Sequence, residues 1–368
     1  MQNKFSLTNN SFYIKNKEII ILLFFGICYR LLLHFFIFDA IIIENDSETY
    51  QYLAQRISDF NLENYNGQRT LGYPILIFLS NNSVQLVVLF QHILGVITSL
   101  FIYKTILNLN FSKSNSLWIV IFLQSFLNIY FYESAIIVET ITLFITSILF
   151  YYITNNFINK SNFKLDVLVS FIFGYLALIK PFYAFIPFII YGFIVLKNFK
   201  IYNIVNKRIV LLFFPMLVYF GCSYLNKINT GNFTSTTFLG YNLAQNCVYF
   251  AEKSPKKYEW IVKPYAKRRD LILKKDKNQS AAMAIWDTYC GGDYDYKKLT
   301  FADLSTEMQK YAVATIKNNP KEYVKQVVTK SWLYFWRPSI SLNEKQFTSS
   351  YKKQAFNILW FEIGRAHV

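Results

Sequence analysis

Long apolar segments separated by short polar connections fill residues 1–226 of the chain. A bilayer core about 30 Å thick is crossed by roughly 20 apolar residues in a helix, so each segment predicts a membrane span. We therefore expect an all-α polytopic membrane protein with a helical bundle over residues 1–226. The predicted spans, about seven in all, are 19–38, 84–107, 117–132, 135–153, 165–179, 182–196 and 209–225.

The pair Lys180-Pro181 interrupts the apolar residues 165–196. One long helix is an alternative, but a single crossing would place the basic cluster 197–208 on the outer side. Cytoplasmic connections normally carry the excess of Lys and Arg, so we expect a helical hairpin with Lys180 at its tip. The N-terminus then lies in the cytoplasm, and residues 227–362 form a mixed, mainly helical region outside the cytoplasmic (inner) membrane.

The composition agrees with a membrane protein, because 54% of residues are hydrophobic and 16% are charged, against about 25% charged in soluble domains. The formal net charge of +16 could indicate a nucleic-acid partner. The Lys and Arg residues instead flank apolar runs or follow Lys227, which membrane topology explains, so we expect no nucleic acid. The first apolar run lacks a small-residue cleavage site and reads as a retained helix. The sequence predicts no oligomeric state.

The chain has 4 cysteines and 3 histidines. Cys247 and Cys290 lie in the predicted outer region and could pair if that side is oxidising. There is no Cys-x-x-Cys motif and the histidines are far apart, so the sequence indicates no metal site. Residues 363–368 correspond to a translated sequencing-adapter read, ATCGGAAGAGCACACGTC, and we expect the natural protein to continue beyond Glu362 into further spans. A chance hydrophilic C-terminus is the alternative.

The first outer connection, 39–83, is long and acidic, which is typical of a functional loop. Asn45 reads as the N-cap of a helix, with Glu48 as its capping-box partner. Asp46 would then lie in the first turn, where the helix dipole favours the ionised carboxylate that a general base needs. The alternative is that Asp46 and Glu48 only stabilise the helix end.

A turn motif closes the same connection, with the sequence Arg69-Thr70-Leu71-Gly72-Tyr73-Pro74. An arginine near the membrane surface can hold a phosphate through paired, charge-assisted hydrogen bonds, and Gly72 and Pro74 favour a turn that presents it. An interfacial arginine that anchors a helix is the alternative.

Glu139 is expected about one turn into the fourth span, where carboxylates are costly and often functional. The alternative is a buried acid that is paired with Arg30 or Lys180 for structure alone. Glu133 reads as a solvated acid at the outer mouth of that span. Arg30 and His34 lie one turn apart on the first span and are expected to share its interior face.

In type and order these motifs resemble the bacterial membrane glycosyltransferases of the GT-C class. The similarity is to the superfamily of dolichyl-phosphate-mannose protein mannosyltransferases and lipid A aminoarabinose transferases. Asp46, Tyr50 and Ala54 match the acid motif after the first span. Residues 69–74 match a basic residue followed by a Pro-Gly-Tyr-Pro-like turn, although Leu71 stands where proline is common.

Two later motifs of that superfamily are matched by Glu139, near the start of the fourth span, and by Lys180-Pro181, where arginine is commoner. Asp293-Tyr294-Asp295 forms an Asp-x-Asp motif, which in other glycosyltransferases holds a metal and a nucleotide. No alternation of strands and helices surrounds it here, so it reads as a solvated turn.

The resemblance implies inverting, metal-independent transfer of a sugar from a polyprenyl-phosphate carrier to a lipid, glycan or protein acceptor, with no separate cofactor. Asp46 would act as general base or orient the acceptor, assisted by Glu139. Arg69, with Lys180, would neutralise the carrier phosphate, which leaves as an anion. The expected catalytic residues are Asp46, Glu48 and Glu139, and the expected substrate-binding residues are Tyr50, Arg69, Tyr73 and Lys180.

Three other functions stay open. An O-antigen or capsule polymerase would not predict the arrangement of Asp46 and Arg69 in the first outer loop. A transporter or flippase would favour inverted repeats and broken helices, of which only the Lys180-Pro181 break is visible. A catalytically inactive relative could serve as an assembly subunit.

Overall fold

The computed structural model describes residues 4–159, 162–197, 206–275, 280–332 and 347–364. In these ranges the regular structure is helical, which confirms the all-α fold class, and the described part of 227–362, expected to be mixed and mainly helical, also contains no strand. One β-bridge joins Ile42 to Ala135. The α-helices are α1 (Lys4–Phe36), α2 (Asn45–Ser58), α3 (Gly72–Leu79), α4 (Val84–Asn108), α5 (Lys113–Gln124), α6 (Leu127–Ser134), α7 (Glu139–Tyr152), α8 (Phe163–Ile179), α9 (Ile186–Lys197), α10 (Phe213–Thr230), α11 (Leu239–Gln245), α12 (Glu259–Lys275), α13 (Ala284–Cys290), α14 (Phe301–Asn318), α15 (Pro320–Gln326) and α16 (Ser350–Gly364).

The chain forms two compact units. The sequence placed a single boundary after residue 226, whereas in the structure a short piece of the first loop, carrying Arg69, joins the second unit. The first unit consists of Met1–Asn61, Leu71–Tyr219 and Ile340–Val368, and the second of Leu62–Thr70 and Phe220–Ser339.

Three helical segments in the described part of the chain are long and apolar enough to cross a membrane. A fourth crossing is possible if α5 and α6 count as one span, but they meet at a bend of 58° where the backbone turns extended at Phe126. The segments are Asn16–Phe36 (21 residues), Val84–Asn108 (25 residues) and Lys207–Thr230 (24 residues).

Helix α7 is shorter than the predicted span 135–153, because it has 14 residues and begins only at Glu139. At 1.5 Å per residue such a helix covers about 21 Å, less than the hydrocarbon thickness. The predicted break between 165–179 and 182–196 is confirmed: α8 ends at Ile179, the backbone of Lys180 is extended, and a 3₁₀ turn starts at Pro181.

The core of the first unit lies where α3, α4, α7 and α8 meet, and it contains Tyr73, Val87, Ile136, Ile141 and Phe173. Large apolar side chains on the outer faces of its long helices are instead exposed, as expected for surfaces that contact lipid. The list includes Phe24, Phe35, Leu89, Ile93, Phe213 and Leu217.

The core of the second unit includes three fully buried tyrosines, Tyr241 of α11, Tyr265 of α12 and Tyr311 of α14. The ring of Tyr241 is stacked against the rings of both Trp286 and Phe301, at centroid distances of 4.6 and 4.7 Å, and those two rings lie 6.4 Å from each other. Such pairs stabilise a core beyond their buried area, so this unit is held by aromatic packing.

Candidate functional site

The start of α2 presents two acids. Asp46 and Glu48 lie in its first turn, as predicted, and both are exposed. The prediction that Asn45 and Glu48 form the cap was wrong. Glu44 is the N-cap, and its backbone N–H donates to Ser47 Oγ at 2.9 Å, because Ser47 occupies the third helical position, where its hydroxyl reaches back.

The chain between α6 and α7 is pinned to the segment that precedes α2. The Ile42 N–H donates to the Ser134 carbonyl at 3.0 Å, and the Ile136 N–H donates to the Ile42 carbonyl at 3.1 Å. These hydrogen bonds replace helical ones, so α7 begins only at Glu139. The sequence had predicted that Glu139 lies one turn inside the span. The helix N-terminus favours its ionised form.

Glu139 pairs with Lys180, with 3.0 Å between Oε1 and Nζ. The two side chains are 41% and 31% exposed, so both groups remain accessible to a ligand. They come from separate motifs on α7 and at the end of α8. Lys180 is held there because Pro181, which has no N–H, ends the helical ladder.

The turn motif at the start of α3 packs against the same end of α8. Tyr175 Oη donates to the Gly72 carbonyl at 3.2 Å. A Cβ on Gly72 would lie 2.7 Å from the backbone of Leu178 and of Ile179, so only glycine allows this approach. The turn motif and the basic-Pro motif are therefore neighbours.

Tyr50 and Tyr73 meet edge to face, with 5.1 Å between ring centroids. Both are buried, Tyr73 completely, so they support the site and do not form its surface. Burial raises the pKa of Tyr73, and its neighbours Tyr50 and Glu139 raise it further. Asp46 lies one turn before Tyr50 and shares its helix face. The structure thus brings Tyr50, Tyr73, Glu139 and Lys180 together.

The sequence reasoning missed Gln91, a fully buried amide in the apolar helix α4. Its Oε1 accepts a hydrogen bond from Tyr73 Oη at 2.9 Å. Its Nε2 donates to the carbonyls of Glu133 and Ala135, at 2.9 and 2.8 Å. An amide inside an apolar span was the available signal, because such a group needs partners.

Glu133 was predicted to be solvated, and this was wrong. It is 1% exposed and forms a two-point pair with Arg30, with 2.7 Å from Nε to Oε2 and 2.5 Å from Nη2 to Oε1. His92 Nδ1 lies 2.9 Å from Oε2. The prediction that His34 shares the interior face with Arg30 was also wrong, since His34 is exposed.

A cavity of about 200 Å³ lies within the first unit and is lined by both Glu133 and Glu139. Most of its wall is apolar, with side chains such as Leu123 and Leu143. The amide of Gln124 also lines it, and Gln124 Oε1 accepts from Arg30 Nη1 at 3.2 Å. The cavity can hold a largely apolar group beside the Glu139 carboxylate.

Arg69 lies in the second unit, with its guanidinium 4.6 Å from the ring centroid of Phe238. Its loop is tied to a threonine-rich segment, because Thr237 N–H donates to the Gly67 carbonyl at 2.9 Å and Thr236 Oγ1 donates to the Gln68 carbonyl at 2.9 Å. Arg69 therefore belongs to the second unit, whereas Glu139 and Lys180 belong to the first.

The second unit also settles three smaller points. Asp293 pairs with Arg268 at 2.9 Å, in a turn as predicted. Cys247 and Cys290 are free thiols, and burial raises the pKa of Cys247 to about 12. Over the described ranges, no group of three or more His, Cys, Asp or Glu could hold a metal ion.

No family model, curated protein or solved structure matches this chain. The chemistry of the site therefore has to be argued from its own residues.

Proposed function

We propose that this protein is a membrane glycosyltransferase of the GT-C type. It moves a sugar from a polyprenyl-phosphate carrier to a lipid, glycan or protein acceptor at the outer face of the cytoplasmic membrane. The observation that carries the proposal is the Glu139–Lys180 pair at 3.0 Å, which joins two motifs of the resemblance and, unlike a buried structural pair, leaves the two side chains 41% and 31% exposed.

The roles follow from charge and exposure. The carrier phosphate leaves as an anion, and a fixed cation such as Lys180 stabilises charge that grows in the transition state. Asp46 is exposed at a helix N-terminus, which suits an ionised general base. Glu139 assists it and orients Lys180. Glu48 and Arg69 take their roles, as an assisting acid and a phosphate-binding cation, from the sequence pattern alone.

The proposed setting is a bundle that crosses the membrane about seven times, with a cytoplasmic N-terminus and residues 227–362 outside. The exposed apolar faces of the long helices support a place in the bilayer. A lipid-linked donor agrees with the cavity beside Glu139, because its apolar wall suits hydrocarbon and its polar end suits the head group.

The test uses the purified full-length chain in lipid nanodiscs with polyprenyl-phosphate mannose, glucose and aminoarabinose. Donor turnover is measured as release of polyprenyl phosphate in the presence of bacterial membranes. We expect turnover of at least one donor, and a loss of about 100-fold or more in Asp46→Asn and Arg69→Ala. Asp59→Asn, at the exposed end of α2, is the matched control and should turn over normally.

Equal folded protein is confirmed by thermal unfolding of every variant. Wild-type turnover in Asp46→Asn would overturn the site. A wild-type protein that releases polyprenyl phosphate from none of the donors would overturn the function.

A further inference from the structure

Gln91 makes three hydrogen bonds that span three parts of the first unit. It accepts from Tyr73 of α3 and donates to two carbonyls that lie two residues apart, those of Glu133 and Ala135. Its side chain is 0% exposed. An amide has two donors and one acceptor oxygen, so both donors and the oxygen are engaged here.

The segment that Gln91 grips leads directly to Glu139. Between Ser134 and Glu139 the backbone leaves the helix, so the carbonyls at the end of α6 lack the N–H partners that a continuing helix would supply. The same segment forms the bridge with Ile42, which precedes the helix that carries Asp46. One buried side chain therefore contacts the backbone on which both proposed acids depend.

We propose that Gln91 is a positioning residue of the active site: it fixes the backbone from Glu133 to Ala135 against Tyr73 and so sets the place of Glu139 relative to Lys180. The proposal rests on the proposed transferase function for its catalytic part. Its structural part, the fixing of the segment, stands on the three hydrogen bonds alone.

Physical reasoning separates this role from a general link between helices. A polar residue that only joins two helices would affect the whole bundle when removed. Gln91 instead bonds the end of α6 at Glu133 and the non-helical residue Ala135 that follows it. Loss of its amide removes this donor from both carbonyls and leaves Ala135 with only the Ile137 N–H, so the expected effect is local. A displacement of Glu139 by about 1 Å would then cost up to roughly 100-fold in rate.

The first experiment measures structure without catalysis. Gln91→Leu, Gln91→Glu and the control Gln85→Leu, an exposed glutamine of the same helix, are compared by hydrogen–deuterium exchange in nanodiscs. We expect peptides covering residues 134–140 to exchange about tenfold faster in both Gln91 variants. A peptide from α12, in the second unit, and all peptides of Gln85→Leu should match the wild type. Unchanged exchange at 134–140 would overturn the proposal.

The second experiment measures donor turnover in the same variants. We expect kcat to fall about 10- to 100-fold in Gln91→Leu with KM within twofold, since positioning acts on the reacting geometry. Tyr73→Phe should show a smaller fall in kcat. In the double variant the increase in activation free energy should be less than the sum of the increases in the two single variants, because the two side chains act as one unit. A normal kcat in Gln91→Leu would overturn the catalytic part. If the wild type turns over no donor, the exchange data still decide the structural part.

Discussion

Two ion pairs, Arg30–Glu133 and Lys180–Glu139, line or border one cavity but differ in almost every physical respect. The first is buried, with side chains 9% and 2% exposed, and joined at two points. The second is joined at one point and is 31% and 41% exposed. The sequence predicted the opposite burial, with Glu139 inside the span and Glu133 solvated at its mouth.

The difference teaches that the number of hydrogen bonds a charged group already makes, more than its depth, decides whether it can still contact a ligand. The Arg30 guanidinium also donates to the Gly26 carbonyl at 3.0 Å and to Gln124, so its donors are largely used. A group engaged in this way stabilises the bundle and has little capacity for a substrate. Glu139 and Lys180 keep exposed surface, which a phosphate or hydroxyl can approach.

The largest expected effect is on stability when the buried pair is broken. Arg30→Ala or Glu133→Ala leaves an uncompensated buried charge, and we expect a loss of about 3–5 kcal/mol in the free energy of unfolding. Thermal and denaturant unfolding in detergent measures it. Glu139→Ala is the matched control and should lose less than about 1 kcal/mol, as half-exposed pairs do. Equal losses at both acids would remove the contrast.

The next effect concerns Gly95, which lets the Glu133 carboxylate approach α4. A Cβ at this position would overlap Glu133 Oε1 and crowd Arg30 Nη2. We expect Gly95→Ala to destabilise by about 1–3 kcal/mol through this crowding. Gly192→Ala, in the apolar helix α9 with open space around it, should be neutral or slightly stabilising. A neutral Gly95→Ala would show that the buried pair can shift without cost.

A smaller effect is expected when the exposed pair loses its cation. In Lys180→Met the free energy of unfolding should change by less than about 1 kcal/mol, while KM for the lipid-linked donor rises roughly tenfold because the phosphate loses a charge partner. Lys180→Arg should recover most of the affinity. The measurement is steady-state kinetics of each variant at equal concentrations of folded protein. An unchanged KM in Lys180→Met would argue against a phosphate at Lys180.

The smallest effect involves a third pair, Lys352–Asp39, at 2.6 Å. Burial alone would raise the pKa of Asp39, but the Lys352 ammonium and the Thr348 hydroxyl outweigh it and bring the pKa below 3.8. A lowered pKa means that the pair stabilises fully above about pH 5 and loses its contribution as pH falls through the folded-state pKa. The Tm difference between wild type and Lys352→Met should therefore vanish in acid; a pH-independent difference would contradict this.

The sequence was most informative where local chemistry decides the backbone. The break at Lys180-Pro181 was predictable because proline lacks an N–H, and the place of Asp46 in the first turn of α2 followed from capping preferences. The cap itself was misplaced by one residue, since Glu44 and Ser47 satisfy the same geometry as Asn45 and Glu48 and only packing chooses between them.

Long-range partners were not predictable. Nothing local indicates that Ile42 pairs with Ala135, yet that bridge shortens α7 and moves Glu139 to a helix end. The same holds for Arg30 and Glu133, which lie far apart in the sequence. The partners of Gln91 are set by three separate segments, so its presence could be noted from the sequence but not its role.

The most direct test compares Glu139→Gln with Glu133→Gln for donor turnover and unfolding, in protein purified as folded monodisperse nanodiscs. The account predicts that Glu139→Gln unfolds like the wild type but releases polyprenyl phosphate about 100-fold more slowly, whereas Glu133→Gln is mainly less stable. Wild-type release by folded Glu139→Gln would contradict the account.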